Sequence, residues 1–307
     1  MMRVLVLGAG ATGGYFGGRL AEGGADVTFL VRPKRASLLA AKGLRIQSPH
    51  GDAALKVKTV TADALSGHWD AVLLSCKAYD LDESIKAIAP AVGPDSMVVP
   101  ILNGLAHYSA LDEAFGAGRV VGGLCHIFST LGKDGEIVHM NAIHRITFGE
   151  RSGGTSPRTE ALAQAFGPAN CETRHSTEIM QEAWEKYVLL APLAGMTCLM
   201  RASVGAIMAT SEGEALMREM FEECATVASR AGHGPRPEAR DLALGFLTQK
   251  GSAMTASMMR DLEGGGPIEG EHIVGDMARR AQAAGVAAPL LRVALAHLQA
   301  YEIRRKG

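Results

Sequence analysis

The first spacing in the chain that could do chemistry is Gly8-x-Gly10-x-x-Gly13, which runs through Gly8, Ala9, Gly10, Ala11, Thr12 and Gly13. Each glycine answers a separate steric demand: a tight turn, close approach of backbone to a pyrophosphate, and close packing of helix on strand. The unpaired amides at the start of the following helix would then face an anion. The pattern alone is weak, since a glycine-rich structural turn can show it. Here it follows an apolar strand and precedes a helix at the head of the chain, which is the setting a dinucleotide site requires. Where NAD sites carry an acidic residue for the ribose hydroxyls, this chain has Arg32, nineteen positions beyond Gly13, with Lys34 and Arg35 just after. A guanidinium can hold a 2′-phosphate bidentately, so NADP(H) is the expected cofactor. A solvated basic turn is the alternative reading.

The elements that must position these residues are legible from apolar runs. Residues 2–7 read as a strand covered on both faces, Tyr15 to Ala21 as a helix ending at Gly23-Gly24, and Asp26 to Val31 as a second strand. Further runs at Ala71 to Ser75 and Met97 to Ile101 predict a mostly parallel sheet with helices on both faces. Val120 to Phe128, Glu136 to Met140 and Arg145 to Phe148, with a turn at Gly132-Lys133-Asp134-Gly135, predict antiparallel additions at that sheet's edge. From Thr177 onward β-branched runs vanish and helix formers dominate, and the uncharged run Tyr187 to Met200, 14 residues long, is too short for a membrane span and reads as a core helix. The fold class is therefore an α/β Rossmann-like N-terminal domain, residues 1–175, followed by an all-α C-terminal domain, residues 176–307, for substrate and dimerisation. With no repeat and no low-complexity linker, the two are expected to pack directly and share a cleft.

Composition narrows the function classes. With 31 Lys+Arg against 32 Asp+Glu the net charge is −1, and no basic run offers a footprint for a nucleic-acid backbone or an anionic membrane. Apolar residues are 47% and charged residues 21%, so a core can form. The short apolar N-terminus runs into glycines and not into a cleavage site. Five scattered cysteines (Cys76, Cys125, Cys171, Cys198, Cys224) show no paired or metal-ligand spacing, so neither a disulfide framework nor a metal is expected, and a reducing cytoplasm suits them.

Five segments taken together resemble the ketopantoate reductase (2-dehydropantoate 2-reductase) family: the glycine turn Gly8 to Gly14; Ser75-Cys76-Lys77-Ala78-Tyr79; Asn103-Gly104; Trp184-Glu185-Lys186-Tyr187; and Ser257-Met258-Met259-Arg260-Asp261 through Pro267-Ile268-Glu269. The resemblance implies NADPH-dependent reduction of a 2-oxo acid, with ketopantoate to pantoate as the leading candidate and a homodimer as the assembly. It implies that Lys186 is the general acid, that Glu269 orients substrate and lysine and touches the cofactor, that Ser257 binds substrate, that Asn103 sits near nicotinamide and substrate, and that Lys77 lies beside the cofactor. The chemistry agrees, because hydride delivery to a ketone builds negative charge on oxygen and a positioned ammonium stabilises and then protonates it. In the oxidative direction the same lysine would act as base.

The chain departs from the family at four positions where asparagines are usual, which are Leu190, Ala194, Val204 and Met254 here. Leaving a substrate hydroxyl or carboxylate unpaired costs on the order of 1–3 kcal/mol per group. The departures predict altered substrate recognition: a less polar carbonyl or hydroxy compound, or an NADPH-binding sensor without turnover, is the alternative. Thr197, Arg201 and Ser203 are candidate replacement donors but read first as structural residues. His107 and His126 match no family site.

Overall fold

The computed structural model describes residues 1–307. Ten strands run in chain order: β1 (Arg3–Leu7), β2 (Asp26–Leu30), β3 (Leu44–Gln47), β4 (Ala53–Leu55), β5 (Lys58–Val60), β6 (Ala71–Leu74), β7 (Met97–Pro100), β8 (Gly122–Leu131), β9 (Ile137–Gly149) and β10 (Glu172–His175). The apolar runs become four of the five strands of an all-parallel sheet in the order β5-β2-β1-β6-β7, with β7 at one edge, and all four residues of β6 and of β7 are buried. Leu7 pairs with both Leu30 and Leu74, and Leu74 with Pro100, so the carboxyl ends of four strands are level. The glycine turn, Arg32, Ser75 and Ile101 therefore all leave from one edge, where open α/β sheets bind ligands.

The helix after the turn starts at Ala11, earlier than the apolar pattern signalled, and ends at Glu22. Tyr15, Phe16 and Leu20 on it have no exposed surface.

The expected edge additions are corrected by the structure. β8 and β9 do form an antiparallel pair, but the runs Glu136 to Met140 and Arg145 to Phe148 fall in one continuous strand that begins at Ile137. That strand builds a separate sheet in the order β10-β9-β3-β4, with β8 on β9. Only an isolated bridge, Val98 to Val120, links this hairpin to the first sheet. The physical reason is the helix Ala11–Glu22, which contacts β1, β2 and β6 and also β3, β8 and β9, and whose two apolar faces each need a cover. β3, β4, β5 and β10 were not legible because each has three or four residues, several of them polar and exposed.

Two compact units result. One comprises Met1–Leu102 and Tyr108–Ile179; the other comprises Asn103–His107 and Met180–Gly307. The second unit is helical throughout its long segment, as expected from Thr177 onward. Its central helix, Ile179–Met200, buries Tyr187, Val188, Ala191, Ala194 and Cys198 to 1% exposure or less. No helix is long and apolar enough to cross a membrane.

The second sheet carries a cluster that the sequence did not suggest. His50 stacks on His144 at 3.7 Å, His139 flanks both rings at 5.8 Å, and the buried Arg19 lies over the Tyr15 ring. Tyr15 Oη is 2.8 Å from His144 Nδ1, and Ser48 Oγ is 2.9 Å from His139 Nδ1. Burial, with the neighbouring His50, His139 and Arg19, pushes His144 down to about 4. An imidazole whose folded pKa lies below its unfolded one takes up its proton more readily in the unfolded chain. Stability is thus lost as pH falls through about 6.5 and levels off below about 4. Allowing for solvent at this half-buried ring, the loss is on the order of 1–2 kcal/mol. Thermal unfolding of His144→Asn followed from pH 7 to pH 4 should show a shallower fall in Tm than the wild type.

Candidate active site

At the level edge of the parallel sheet lies a groove of about 740 Å³ lined by Gly8, Ala9, Gly10, Arg32, Ser75 and Cys76 among others. Gly8 has φ +84°, which glycine adopts without cost, and side chains built at Gly8 or Gly10 would enter open space. A side chain at Gly13 would instead collide with Ser75 Oγ and the Gly8 carbonyl, so the third glycine is the one that close packing requires. Gly10 caps the helix with no side-chain cap, and no acidic residue stands in the first turn. Its amides are therefore open to an anion. Ala11 and Thr12 begin that helix and are half-buried. The cradle fits the pyrophosphate of a dinucleotide.

Arg32 lies two residues past β2 as the cap of the helix Pro33–Lys42, with its side chain 76% exposed. It pairs loosely with Asp80 at 3.7 Å and Glu83 at 3.4 Å, both on the groove wall. Exposed pairs of this kind contribute about 0–1 kcal/mol, so an arriving phosphate can take the guanidinium at little cost. The cation is evident in the sequence but its two carboxylates are not, because they come from a helix some fifty residues on. Lys77 is half-buried and caps the short turn Ala78–Asp80, next to groove-lining Cys76.

The other expected residues belong to the helical unit. Lys186, half-buried on the helix Ile179–Met200, donates from Nζ to Asn103 Oδ1 at 3.0 Å. One of the three ammonium donors is thus taken by the amide. Asn103 lies next to His272. Gly104 has φ +77°, and a side chain there would press on the ring and carbonyl of His272 at 3.3 Å. The His272 imidazole also hydrogen-bonds the main chain of Asn103; burial pushes its pKa down, against the opposing pull of Glu269 and Asp276, which favours the neutral ring. Fully buried His107 stacks on His272 with ring centres 5.6 Å apart. Tyr187 Oη donates to the Ile273 carbonyl at 2.6 Å and to Asp276 at 3.1 Å, tying the lysine helix to the π-helical turn Glu271–Gly275.

Glu269 precedes that turn with 5% of its surface exposed, and Ser257 opens the helix Ser257–Glu263. His272 was missed because its contact with Asn103 spans more than 160 residues and leaves no local period.

The four departures are structural facts in this unit. Leu190 and Ala194 follow Lys186 at four and eight residues on the same helix, and Ala194 is completely buried. The Val204 N–H donates to the Met254 carbonyl at 2.9 Å, so two replaced positions pair through their backbones. The nearby polar residues are occupied elsewhere. Thr197 Oγ1 donates to the Leu193 carbonyl at 2.6 Å and accepts from Ala256 N at 3.4 Å, and Ser203 caps the helix Val204–Met208. Arg201 is exposed with φ +52°. Met258 and Met259 are buried core residues.

Comparison with known proteins agrees along the whole chain. The family model for ketopantoate reductase PanE/ApbA matches residues 4–153, and that for its C-terminal part matches residues 178–302. An uncharacterized oxidoreductase, YkpB, of Bacillus subtilis is 39% identical over 99% of this chain and 100% of its own length. A 2-dehydropantoate 2-reductase of Nostoc is 28% identical over 92% of this chain and 90% of its own. The solved 2-dehydropantoate 2-reductase of Methylococcus capsulatus superposes with a TM-score of 0.88 at 29% identity, covering 100% of this chain and 98% of that one. With the glycine cradle on one unit and the Lys186–Asn103 pair on the other, the chain belongs to the ketopantoate reductase family of NADP-dependent oxidoreductases.

Proposed function

We propose that the chain reduces ketopantoate to pantoate with NADPH, and the observation that carries this reading is the Lys186–Asn103 pair. A lysine on a solvated helix face would be one cation among many. Here an amide oxygen fixes its ammonium at 3.0 Å in a half-buried setting, as an acid aimed at a developing alkoxide must be. NADPH, when bound, supplies the hydride. Lys186 Nζ stabilises the charge that grows on the carbonyl oxygen and then gives it a proton, and Asn103 keeps Nζ in place. Glu269 and Ser257 orient the substrate.

In the other unit the amides of the Gly8–Gly13 turn hold the pyrophosphate, Lys77 lies beside the cofactor, and Arg32 takes the 2′-phosphate. Because Leu190 and Ala194 cannot donate hydrogen bonds, the substrate's hydroxyl and carboxylate draw on other groups, and recognition by this enzyme differs in detail from that of family members with asparagines there.

The first test is NADPH oxidation with ketopantoate, alongside other 2-oxo acids graded by size and polarity. Lys186→Ala should lower kcat by about 10²–10⁴-fold, the range for a lost general acid, and Asn103→Ala should lower it less. Wild-type turnover by Lys186→Ala would sink the assignment. Turnover confined to another 2-oxo acid would move the substrate, and tight NADPH binding without oxidation across the panel would favour a sensor. Arg32→Ala should weaken NADPH by about 10- to 100-fold, the cost of charge-assisted hydrogen bonds to a phosphate, and leave NADH unchanged, as equilibrium titration of each cofactor would show.

A further inference from the structure

The carbonyls of the glycine turn are held by side chains of three separate elements, two of which, Ser75 and Arg35, also line the groove. Ser75 Oγ donates to the Leu7 carbonyl at 2.9 Å, Arg35 Nη2 to the Ala9 carbonyl at 2.7 Å, and Ser129 Oγ to the Ala11 carbonyl at 3.2 Å. Every second carbonyl from Leu7 to Ala11 is thus tied to a donor. A trans peptide is rigid and planar, so fixing the Ala9 carbonyl also fixes the Gly10 N–H, which points the opposite way. Ala9 and Gly10 both line the groove.

Of the three donors, Arg35 has the widest reach. Its other arm, Nη1, donates to the Gly135 carbonyl at 2.8 Å. Gly135 belongs to the turn between β8 and β9 and has φ +77°, and a side chain there would run into the same Nη1. One planar fork therefore joins the dinucleotide turn to the hairpin, whose last β8 residue, Leu131, also lines the groove. Arg32 and Arg35 stand three residues apart but do different work. Arg32 is mostly exposed and loosely paired with carboxylates, whereas both terminal nitrogens of Arg35 are committed to backbone carbonyls.

We infer that Arg35 is a positioning residue for the cofactor: its two-armed bond to Ala9 and Gly135 presets the Gly10 amide toward the pyrophosphate. A guanidinium can hold two carbonyls in this way, and an ammonium on a flexible stem cannot hold the same pair in one plane. The pyrophosphate is common to both nicotinamide dinucleotides, so the role carries no preference between them. The inference is independent of which 2-oxo acid is the substrate.

The test is equilibrium binding of NADPH and of NADH to the full-length protein, read by nicotinamide fluorescence, with Arg32→Ala as the reference. Arg35→Ala and Arg35→Lys should both weaken the two cofactors by one common factor, roughly tenfold or more for loss of charge-assisted hydrogen bonds. The ratio of NADPH to NADH affinity should stay at the wild-type value. Gly135→Ala, which displaces Nη1 without touching the glycine turn, should weaken both cofactors in the same direction, and it keeps the test open if Arg35→Ala folds poorly.

Three results would overturn the inference. Wild-type affinities in Arg35→Lys would mean that charge suffices. A loss confined to NADPH would make Arg35 a 2′-phosphate ligand. A lowered Tm of the cofactor-free protein, with unchanged affinity below that temperature, would make it a structural residue only.

Discussion

Burial of one helix organises the nucleotide-binding unit. Ala11–Glu22 has apolar side chains on more than one face, so it cannot rest on a single sheet with its other side in water. Two sheets cover it, and both are needed to bury Tyr15, Phe16 and Leu20 completely. The N-terminus of that helix is also the end of the glycine turn. The packing that anchors the helix therefore anchors the turn, and strain at one would be felt at the other.

Polar geometry follows the same logic at smaller scale. The turn between β1 and the helix has no ladder partner for most of its carbonyls, and in a partly buried loop each must find a donor. Ser75, Arg35 and Ser129 supply them. Because a peptide plane has two ends, satisfying the carbonyls also aims the amides. In the helical unit the equivalent device is a side-chain amide: Asn103, beside His272, accepts from Lys186. In both places a group expected to meet the ligand is oriented by a neighbour distant in the chain, and the sequence shows the residues without showing that they meet.

Two of the four departures from the family pattern lie in the core and two are half-buried. Ala194 and Val204 are fully buried, and the Val204–Met254 backbone bond holds whatever side chains those positions bear. Thr197 and Ser203, the polar residues closest in sequence, satisfy backbone groups of their own helices. On the function proposed above, reaction chemistry and substrate recognition are separable in this chain: the Lys186–Asn103 pair is kept, while four positions that carry asparagine in the family are Leu190, Ala194, Val204 and Met254.

Features set by local chemistry are legible in the sequence by itself. The glycine spacing, the apolar runs of β1, β6 and β7, the all-helical second half and the cation at Arg32 each depend on residues close in sequence, where period and steric type leave a signal. The resemblance added Lys186, Asn103, Ser257 and Glu269, and the first two proved to be hydrogen-bonded to each other. Tertiary structure alone decided that the β8–β9 hairpin builds its own sheet, since strand periodicity does not say which edge a strand will join. It also placed Asn103–His107 with the helical unit, put Asp80 and Glu83 beside Arg32, and set His272 against Asn103. Each of these joins residues from roughly fifty to more than a hundred positions apart. Such contacts are chosen by which surfaces remain to be buried once the local elements exist, and that choice is written in no single stretch of the chain.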